Sequence, residues 1–167
     1  MRRVLRLCLS GIIAATGAAV LAAAAFSSAT AGASVASPAM SEQWDLCNAR
    51  AVSSAPKVVF ARIEEVESTH RVPASFWTNV VYRRDVARIV CYESTYDVHA
   101  RNATQFGWFQ MTRSLISSEG VSWPEYWSGS SSHPPGWYQA LAGELYIARR
   151  YVTPAAAWAH ERNYGWY

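Results

Sequence analysis

The chain has 167 residues and a formal net charge of +3, and 51% of its residues are apolar while 16% are charged. This length suits one modest domain, and the apolar content excludes a wholly disordered protein. The net positive charge favours a nucleic acid or an anionic surface as a partner only if the basic residues lie in the folded part of the chain.

The first 31 residues are typical of an export signal. A basic start at residues 1–6 precedes an uncharged, mostly apolar stretch at residues 7–26, and small residues then predict cleavage after Ala31. An uncleaved membrane anchor is the alternative, because the apolar stretch is long enough to span a bilayer. With cleavage, we expect a secreted protein that has no stable association with the membrane.

Cleavage would also change the charge of the protein. Residues 1–31 hold three arginines and no acidic residue, so twelve basic and twelve acidic residues remain beyond them. The mature chain is therefore neutral and keeps no basic block interleaved with aromatics, which removes nucleic acid from the predicted partners.

All eight tryptophans lie beyond residue 31. We expect them to build both a small core and a sugar-binding cleft, with most at least half buried.

The predicted elements begin after a flexible lead-in at residues 32–41, which is rich in Ala, Ser, Gly and Pro. Helical spacing then predicts two helices broken near Pro56, and a third helix from about Asn79 to Tyr92. The apolar positions of the first two helices are Trp44, Cys47, Ala51, Val58, Val59, Ile63 and Val66. Residues 42–79 form either helices packed on the rest of the domain or a separate small unit.

A turn-rich, aromatic loop follows the third helix and is predicted to contain a small β-ribbon near residues 103–110. Helical spacing resumes from Trp137 to Tyr151. Thr153 is then the predicted N-cap of a last helix, and Pro154 occupies its first helical position. Gly165 is predicted to end this helix. The predicted fold class is mainly α, because no alternating strand pattern of useful length is present.

Two cysteines, Cys47 and Cys91, remain in the mature chain. An exported protein meets an oxidising compartment, so we predict a disulfide, which on the chain-entropy model stabilises the fold by roughly 4 kcal/mol. The alternative is a pair of free, buried thiols that each act as a small apolar side chain.

Glu93 is the leading candidate for chemistry. At the C-terminal end of the third helix it continues the apolar face formed by Tyr82, Val86, Ile89 and Val90. Burial and the negative end of the helix dipole both raise the pKa of a carboxyl, which suits a general acid near neutral pH. The alternative is a helix-end Glu that pairs with an arginine or is exposed to solvent.

Four segments carry a resemblance to a known family. Residues 93–97 (ESTYD) and 107–110 (GWFQ) resemble the signature E-S-x-[FY]-N…G-x-x-Q of the soluble lytic transglycosylases. Residues 142–147 (AGELYI) resemble the later A-G-x-x-Y-L segment, and residues 151–167 are similar to the end of short secreted members from GC-rich Gram-positive bacteria. The family belongs to the lysozyme-like superfamily and cleaves peptidoglycan glycan strands. The segments occur in the family's order and span about residues 80–167.

The resemblance implies a lysozyme-like helical domain that acts, as a monomer and without a cofactor, on peptidoglycan glycan strands. Glu93 matches the single catalytic acid and base, and Gln110 matches the glutamine that helps to bind the sugar. Tyr146 matches a tyrosine whose hydroxyl lies near the catalytic carboxyl, and Ser94 matches the serine next to the acid.

Some positions need a separate interpretation. Asp97 stands where the family usually has Asn, and we expect it to form a turn. Gly107 is expected to allow close backbone approach at the cleft floor, with an ordinary turn glycine as the alternative. Thr112 and Arg113 stand where the family commonly has a proline, so we expect the cleft wall to differ.

The number of carboxylates separates the candidate mechanisms. An ordinary retaining or inverting glycosidase needs two, and the nearest others downstream, Asp97, Glu119 and Glu125, carry no motif. A single carboxylate fits what the resemblance implies: Glu93 acts as acid and then base, and the sugar's own 6-hydroxyl closes a 1,6-anhydromuramic product. The alternatives are a lysozyme-type hydrolase and a glycan-binding module without turnover.

The sequence has no H-x-x-x-H or G-x-S-x-G motif, so we predict neither a metal-dependent hydrolase nor a serine hydrolase.

Overall fold

The described part of the chain is mainly helical with a small antiparallel sheet, as predicted. This computed structural model describes residues 42–43, 45–49 and 57–167. The predicted export signal and lead-in, residues 1–41, lie outside them. No helix within the described ranges is both long enough and apolar enough to cross a bilayer.

Within these residues, helices and short strands follow one another along the chain. Residues 42–43 and 45–49 form α1, and the further helices are α2 (Lys57–Ser68), α3 (Ala74–Trp77), α4 (Val80–Ser94), α5 (Arg113–Ser118), α6 (Trp123–Ser128), α7 (Pro135–Tyr151) and α8 (Pro154–Tyr164). The strands are β1 (Arg101–Asn102), β2 (Gln105–Phe106) and β3 (Met111–Thr112). β2 pairs with both neighbours in antiparallel fashion, with Phe106 opposite Arg101 and Met111. The ribbon therefore lies where the sequence predicted one.

The helix that carries Glu93 has clear local signals at both ends. Asn79 is the N-cap of α4, and its side-chain oxygen accepts a hydrogen bond from the Val81 backbone nitrogen at 3.0 Å. α4 runs slightly further than predicted, to Ser94, because the left-handed backbone of Thr95 (φ 52°) ends it. Glu93 therefore lies inside the last helical turn.

The predicted start and end of the last helix are confirmed. The Thr153 side chain accepts a hydrogen bond from the Ala156 backbone nitrogen at 3.2 Å, and Pro154 occupies the first turn of α8. Gly165 ends the helix in a left-handed conformation with φ 72°. This end directs the following residues toward the site described below.

Two short helices, α5 and α6, occupy a region predicted as a loop. Thr112 caps α5 by accepting a hydrogen bond from the Leu115 backbone nitrogen at 3.3 Å, and Ser122 caps α6 by accepting one from Glu125 at 3.4 Å. Residues 122–125 (SWPE) combine an N-cap, an early proline and a capping-box Glu. The helices are too short to show apolar periodicity, so only these caps could have predicted them.

The N-terminal helices pack on the rest of the domain and are not a separate unit. Val59, Ile63 and Val66 of α2 are fully buried in the apolar core that α4 and α7 also form. Burial of each such side chain stabilises the fold by about 1.5–3 kcal/mol. Val58 was predicted on this buried face but is 53% exposed. It directly precedes Val59, and successive residues point to different sides of a helix with 3.6 residues per turn.

A disulfide joins Cys47 of α1 to Cys91 of α4, with 5.6 Å between the two Cα atoms. The predicted pairing is therefore present, in place of two free thiols. Because Cys91 shortly precedes Glu93, the bridge ties α1 to the end of α4 that carries the candidate acid.

The central helix α7 holds the loop at residues 107–110 against the core. An added Cβ on Gly143 would stand 2.5 Å from the Phe109 ring, so only glycine lets this ring lie against the helix. The fully buried Gln139 accepts a hydrogen bond from the Trp108 backbone nitrogen at 2.8 Å. α7 therefore fixes both the side chains and the backbone of this loop.

The tryptophans are largely buried, as expected. Among those whose side chains the structure describes, Trp108, Trp137 and Trp158 are buried, and Trp123 and Trp127 are half-buried. Trp166 is the exposed exception at 48%. Most of the aromatic surface therefore builds the core, and only a part of it is available to a ligand.

Candidate active site

A cavity of about 230 Å³ opens beside the C-terminal end of α4. A carboxyl, two amides and several aromatic rings line it; the lining residues are Glu93, Gln105, Phe109, Gln110, Met111, Thr112, Leu115, Tyr146, Trp166 and Tyr167. Glu93, Gln110 and Tyr146, which the sequence predicted as site residues, therefore meet in one cavity although they come from different elements. Polar groups that converge in one cavity beside apolar and aromatic side chains are typical of a ligand-binding or active site.

Glu93 lies half-buried on the face of α4 that places Val86, Ile89 and Val90 in the core. Burial of its carboxyl raises the pKa of Glu93 above the ordinary value of 4.5, which is the direction that the sequence pattern predicted. Protonated Glu93 therefore persists at neutral pH. A carboxylic acid in this state can donate its proton to a bound substrate.

A second carboxyl, from Glu161 of α8, interacts with Glu93 where α4 and α8 pack together. After burial, the negative charge of Glu161 is the next cause that raises the pKa of Glu93. Glu161 is itself fully buried, and burial raises its own pKa above the ordinary value. Burial was expected from the sequence, whereas the neighbouring acid Glu161 is a cause of the raised pKa that the sequence did not predict.

Glu161 is poorly compensated in its buried position. Neither of its side-chain oxygens has a hydrogen-bond partner of normal geometry, and none of the ion pairs in the described chain involves it. The signal in the sequence was its spacing, because Glu161 follows the buried Ala157 and Trp158 on one face of α8.

Gln110 reaches the cavity from a constrained backbone. Its φ of 44° lies in the left-handed region, and its side-chain nitrogen donates a hydrogen bond to the Gly107 carbonyl at 2.9 Å. This bond leaves the side-chain oxygen to accept a hydrogen bond from a ligand hydroxyl or amide. A residue other than glycine in such a conformation costs of order 1 kcal/mol, and such strain is common where a side chain is held for function.

The cavity lining also contains two tyrosines that are joined by a hydrogen bond. The Tyr146 hydroxyl donates a hydrogen bond to the Tyr167 carbonyl at 3.3 Å, and the Tyr167 hydroxyl donates one to the Phe109 carbonyl at 2.8 Å. Burial, followed by the nearby Glu93 carboxyl, raises the pKa of the Tyr167 hydroxyl. Tyr167 therefore belongs to the site as fully as Tyr146, although the sequence predicted only the latter.

Two predicted positions have structural partners of their own. The Ser94 hydroxyl donates to the Val90 carbonyl at 2.8 Å within α4, and Ser94 is not among the residues that line the cavity. A role for Ser94 in sugar binding stays a prediction. The Asp97 carboxylate accepts a hydrogen bond from the His99 backbone nitrogen at 2.8 Å, which confirms the expected turn-forming role.

Gly107 makes its close approach to the core and does not line the cavity. Its φ is 73°, and an added Cβ would stand 2.7 Å from the Gln139 side chain and 2.8 Å from the Tyr126 hydroxyl. Gly107 is therefore not part of the cleft floor, and it forms a left-handed turn packed against Gln139.

At the cavity wall, Thr112 is a lining residue, and the adjacent Arg113 lies over the Trp123 ring at 4.2 Å.

The other carboxylates weighed from the sequence lie outside the cavity. Glu119 pairs with Arg149, and the Ser122 hydroxyl donates to Glu125 at 2.6 Å. In the part of the chain that the structure describes, no group of His, Cys, Asp and Glu side chains could hold a metal ion. The chemistry available to this cavity is therefore that of the two interacting carboxyls and their polar neighbours.

Comparisons of the chain with protein-family models, with curated proteins and with solved structures found no match. The cavity and its side chains consequently carry the functional interpretation, together with the four-segment resemblance given above.

Proposed function

We propose that the protein is a secreted lytic transglycosylase that cleaves the β-1,4 glycosidic bond of peptidoglycan glycan strands. The observation that carries the proposal is a Glu93 carboxyl of raised pKa in a cavity that Gln110 and Tyr146 also line. An acid that keeps its proton at neutral pH, next to an amide and a phenol, suits protonation of a glycosidic oxygen.

In the proposed first step, Glu93 gives its proton to the glycosidic oxygen while the bond from that oxygen to C1 of the muramic sugar breaks. The N-acetyl oxygen of the same sugar attacks C1 and stabilises the positive charge. In the second step the 6-hydroxyl oxygen attacks C1, the N-acetyl oxygen leaves, and the Glu93 carboxylate accepts the hydroxyl proton. The products are a 1,6-anhydromuramic end and a free 4-hydroxyl, and no water is consumed.

The position of Glu161 favours this one-acid mechanism over a two-carboxylate glycosidase. A glycosidase places its two carboxyls about 5 Å or about 6.5–9.5 Å apart, on either side of the scissile bond. Glu161 instead interacts directly with Glu93, is fully buried and does not line the cavity. Because Glu161 does not line the cavity, it does not stand where the second carboxyl of such a glycosidase would act.

Recognition in this proposal is short-range. The chain beyond residue 31 has equal numbers of acidic and basic residues, so long-range attraction to an anionic wall contributes little. The apolar face of a sugar ring would instead lie against the exposed Trp166, and the Gln110 oxygen would accept a hydrogen bond from the sugar. The disulfide and the export-like first 31 residues support a site of action outside the cell.

Mass analysis of purified cell walls digested by the protein tests the proposal. We expect soluble fragments with anhydro ends, whereas hydrated reducing ends alone would identify a lysozyme-type hydrolase. Glu93→Gln should abolish release while it folds normally, and Glu65→Gln, at an exposed glutamate on α2, should leave release unchanged. Binding to walls without release by either the wild type or Glu93→Gln would identify a glycan-binding module.

A further inference from the structure

Arg150 brings a positive charge to the edge of the cavity. It lies in the last turn of α7, and its guanidinium carbon stands 6.0 Å from the ring centre of Tyr146 and 5.1 Å from that of Trp166. Both of these rings line the cavity. The Arg150 side chain is exposed, and no ion pair within the described residues involves it. A ligand in the cavity therefore meets a positive charge at this edge.

The dipole of α7 favours a basic residue in the last turn but does not account for the contacts of Arg150. Arg149 occupies the same turn and forms an ion pair with Glu119. Arg150 instead lies over the rings of Tyr151 and Trp166. Ring faces attract its charge, and they leave that charge available to an anion because they are not themselves ionised.

The aromatic contacts orient the guanidinium and leave most of its donors unused. Nε of Arg150 donates a hydrogen bond to the Tyr151 hydroxyl at 3.1 Å, and the guanidinium carbon lies 5.5 Å from the centre of the same ring. An arginine has five N–H donors, and no hydrogen bond within the described chain uses those on the two terminal nitrogens of Arg150. Paired donors of this kind match the two oxygens of a carboxylate.

Trp166, which Arg150 contacts, is itself held in place. Nδ1 of His160 donates a hydrogen bond to the Trp166 carbonyl at 2.8 Å, and the two ring centres stand 4.3 Å apart in an edge-to-face contact. Trp166 lines the cavity and is 48% exposed, so a sugar ring can lie against it. The substituents of such a ring then lie close to the Arg150 guanidinium.

We propose that Arg150 binds a carboxylate carried by the glycan and thereby makes the cavity selective for strands that contain muramic acid over neutral strands. This inference rests on the proposed function, because it takes the ligand to be peptidoglycan. Each muramic sugar carries a lactyl group whose carboxyl is either free or joined by an amide bond to a peptide stem, and the stem has carboxylates of its own. A strand of N-acetylglucosamine alone has no carboxylate. Because the chain beyond residue 31 is formally neutral, one placed cation can discriminate where net charge cannot.

Binding to defined oligosaccharides tests the proposal without a variant at Arg150. Calorimetry uses Glu93→Gln, so that no ligand is cleaved. A peptide-free fragment of alternating N-acetylglucosamine and N-acetylmuramic acid should bind at least about threefold more tightly than the same fragment with its lactyl carboxyls converted to neutral methylamides. If the bound carboxylate belongs to the peptide stem, a stem-bearing fragment should show this preference in its place. Equal affinities of all three fragments would overturn the proposal.

Substitution of Arg150 in the same Glu93→Gln protein identifies the group that provides the preference. Arg150→Gln should weaken the binding of the preferred carboxylate-bearing fragment about three- to tenfold and leave the methylamide fragment unaffected. Arg150→Lys keeps the charge but loses the paired donors, so it should restore only part of the affinity. Arg162→Gln is the matched control, because Arg162 is also exposed in the last turn of a helix but does not line the cavity.

Three results would contradict a role for Arg150 in carboxylate binding. Arg150→Gln could leave all affinities unchanged, it could weaken charged and neutral fragments equally, or Arg162→Gln could have the same effect. Wall cleavage by the wild type together with any of these results would leave the proposed function intact and overturn this inference alone. If the wild type cleaves no walls, the proposed function fails, while the binding measurements still decide whether Arg150 binds a carboxylate.

Discussion

The Gln139 side chain joins three separate parts of the chain. Its oxygen accepts a hydrogen bond from the Trp108 backbone nitrogen at 2.8 Å, and its nitrogen donates to the carbonyls of Val98 and Tyr126 at 2.9 and 3.1 Å. One fully buried amide on α7 therefore satisfies one backbone donor and two acceptors around the loop that supplies Gln110.

Gln139→Leu should destabilise the protein more than an ordinary core substitution. The leucine fills a similar volume but leaves a buried backbone nitrogen and two carbonyls without partners, each at a cost of about 1–3 kcal/mol. We expect the free energy of unfolding in urea to fall by about 3 kcal/mol or more. A loss below about 1 kcal/mol would mean that water or a local shift satisfies these groups.

Gly143→Ala should disturb the loop at residues 107–110 through one methyl group. The added Cβ would stand 2.5 Å from the Phe109 ring, so the ring or the helix must move. We expect a loss of about 1–3 kcal/mol in the free energy of unfolding. Phe109→Leu in the same chain should be partly compensatory, and a double-mutant cycle measures the coupling. Strict additivity of the two losses would contradict a direct contact.

Glu144 should make the protein less stable as pH rises. It is fully buried without a hydrogen-bond partner, and burial raises its pKa well above the ordinary 4.5. Because the folded state binds this proton more tightly than the unfolded state, its contribution to stability is fully present below pH 4.5. The contribution is lost as pH rises toward the raised pKa of the folded state.

Glu144→Gln should flatten this dependence, because glutamine stays neutral at every pH. Urea unfolding at a series of pH values above 4.5 measures the free energy for the wild type and the variant. Glu65→Gln, at an exposed position, provides the control and should follow the wild type. Parallel curves for the wild type and Glu144→Gln would show that Glu144 does not bind a proton preferentially in the folded state.

The disulfide should supply a large share of the stability. Cys47→Ala combined with Cys91→Ala should lower the free energy of unfolding by roughly 4 kcal/mol, because the unfolded chain regains the freedom of a long open loop. Urea unfolding of the variant, and of the wild type with and without reductant, measures this loss. The mature wild type should show no reactive thiol after unfolding without reductant, and two reactive thiols would contradict the pairing.

Tyr146→Phe should impair turnover with little effect on folding. The substitution removes the hydrogen bond to the Tyr167 carbonyl and a polar atom from the cavity wall. We expect the rate of wall cleavage to fall about five- to tenfold, as for the loss of one hydrogen bond. Tyr138→Phe is a matched control, because the Tyr138 hydroxyl binds Ser130 and Tyr138 does not line the cavity. Equal effects of both variants on cleavage would contradict a specific role for Tyr146.

Local signals in the sequence were sufficient for the helices that carry the site. The apolar spacing of α4 predicted that Glu93 would face the core, and the Thr153 cap, Pro154 and Gly165 predicted the bounds of α8. Such signals depend only on residues within a few positions of each other, so they can be read without knowledge of the fold. The short helices α5 and α6 had caps but no periodicity, and they were missed.

Tertiary packing decided what the local signals could not. Glu161 shows the same buried-face spacing as Glu93, yet only the contact of α8 with α4 determines that the two carboxyls meet. Likewise Tyr167 enters the cavity because its hydroxyl binds the Phe109 carbonyl, which lies 58 positions away. The sequence by itself determined that the Glu93 face of α4 points inward, because helical periodicity is local. Which inward-facing groups become neighbours depends on how the helices cross, and that depends on side-chain contacts between distant segments.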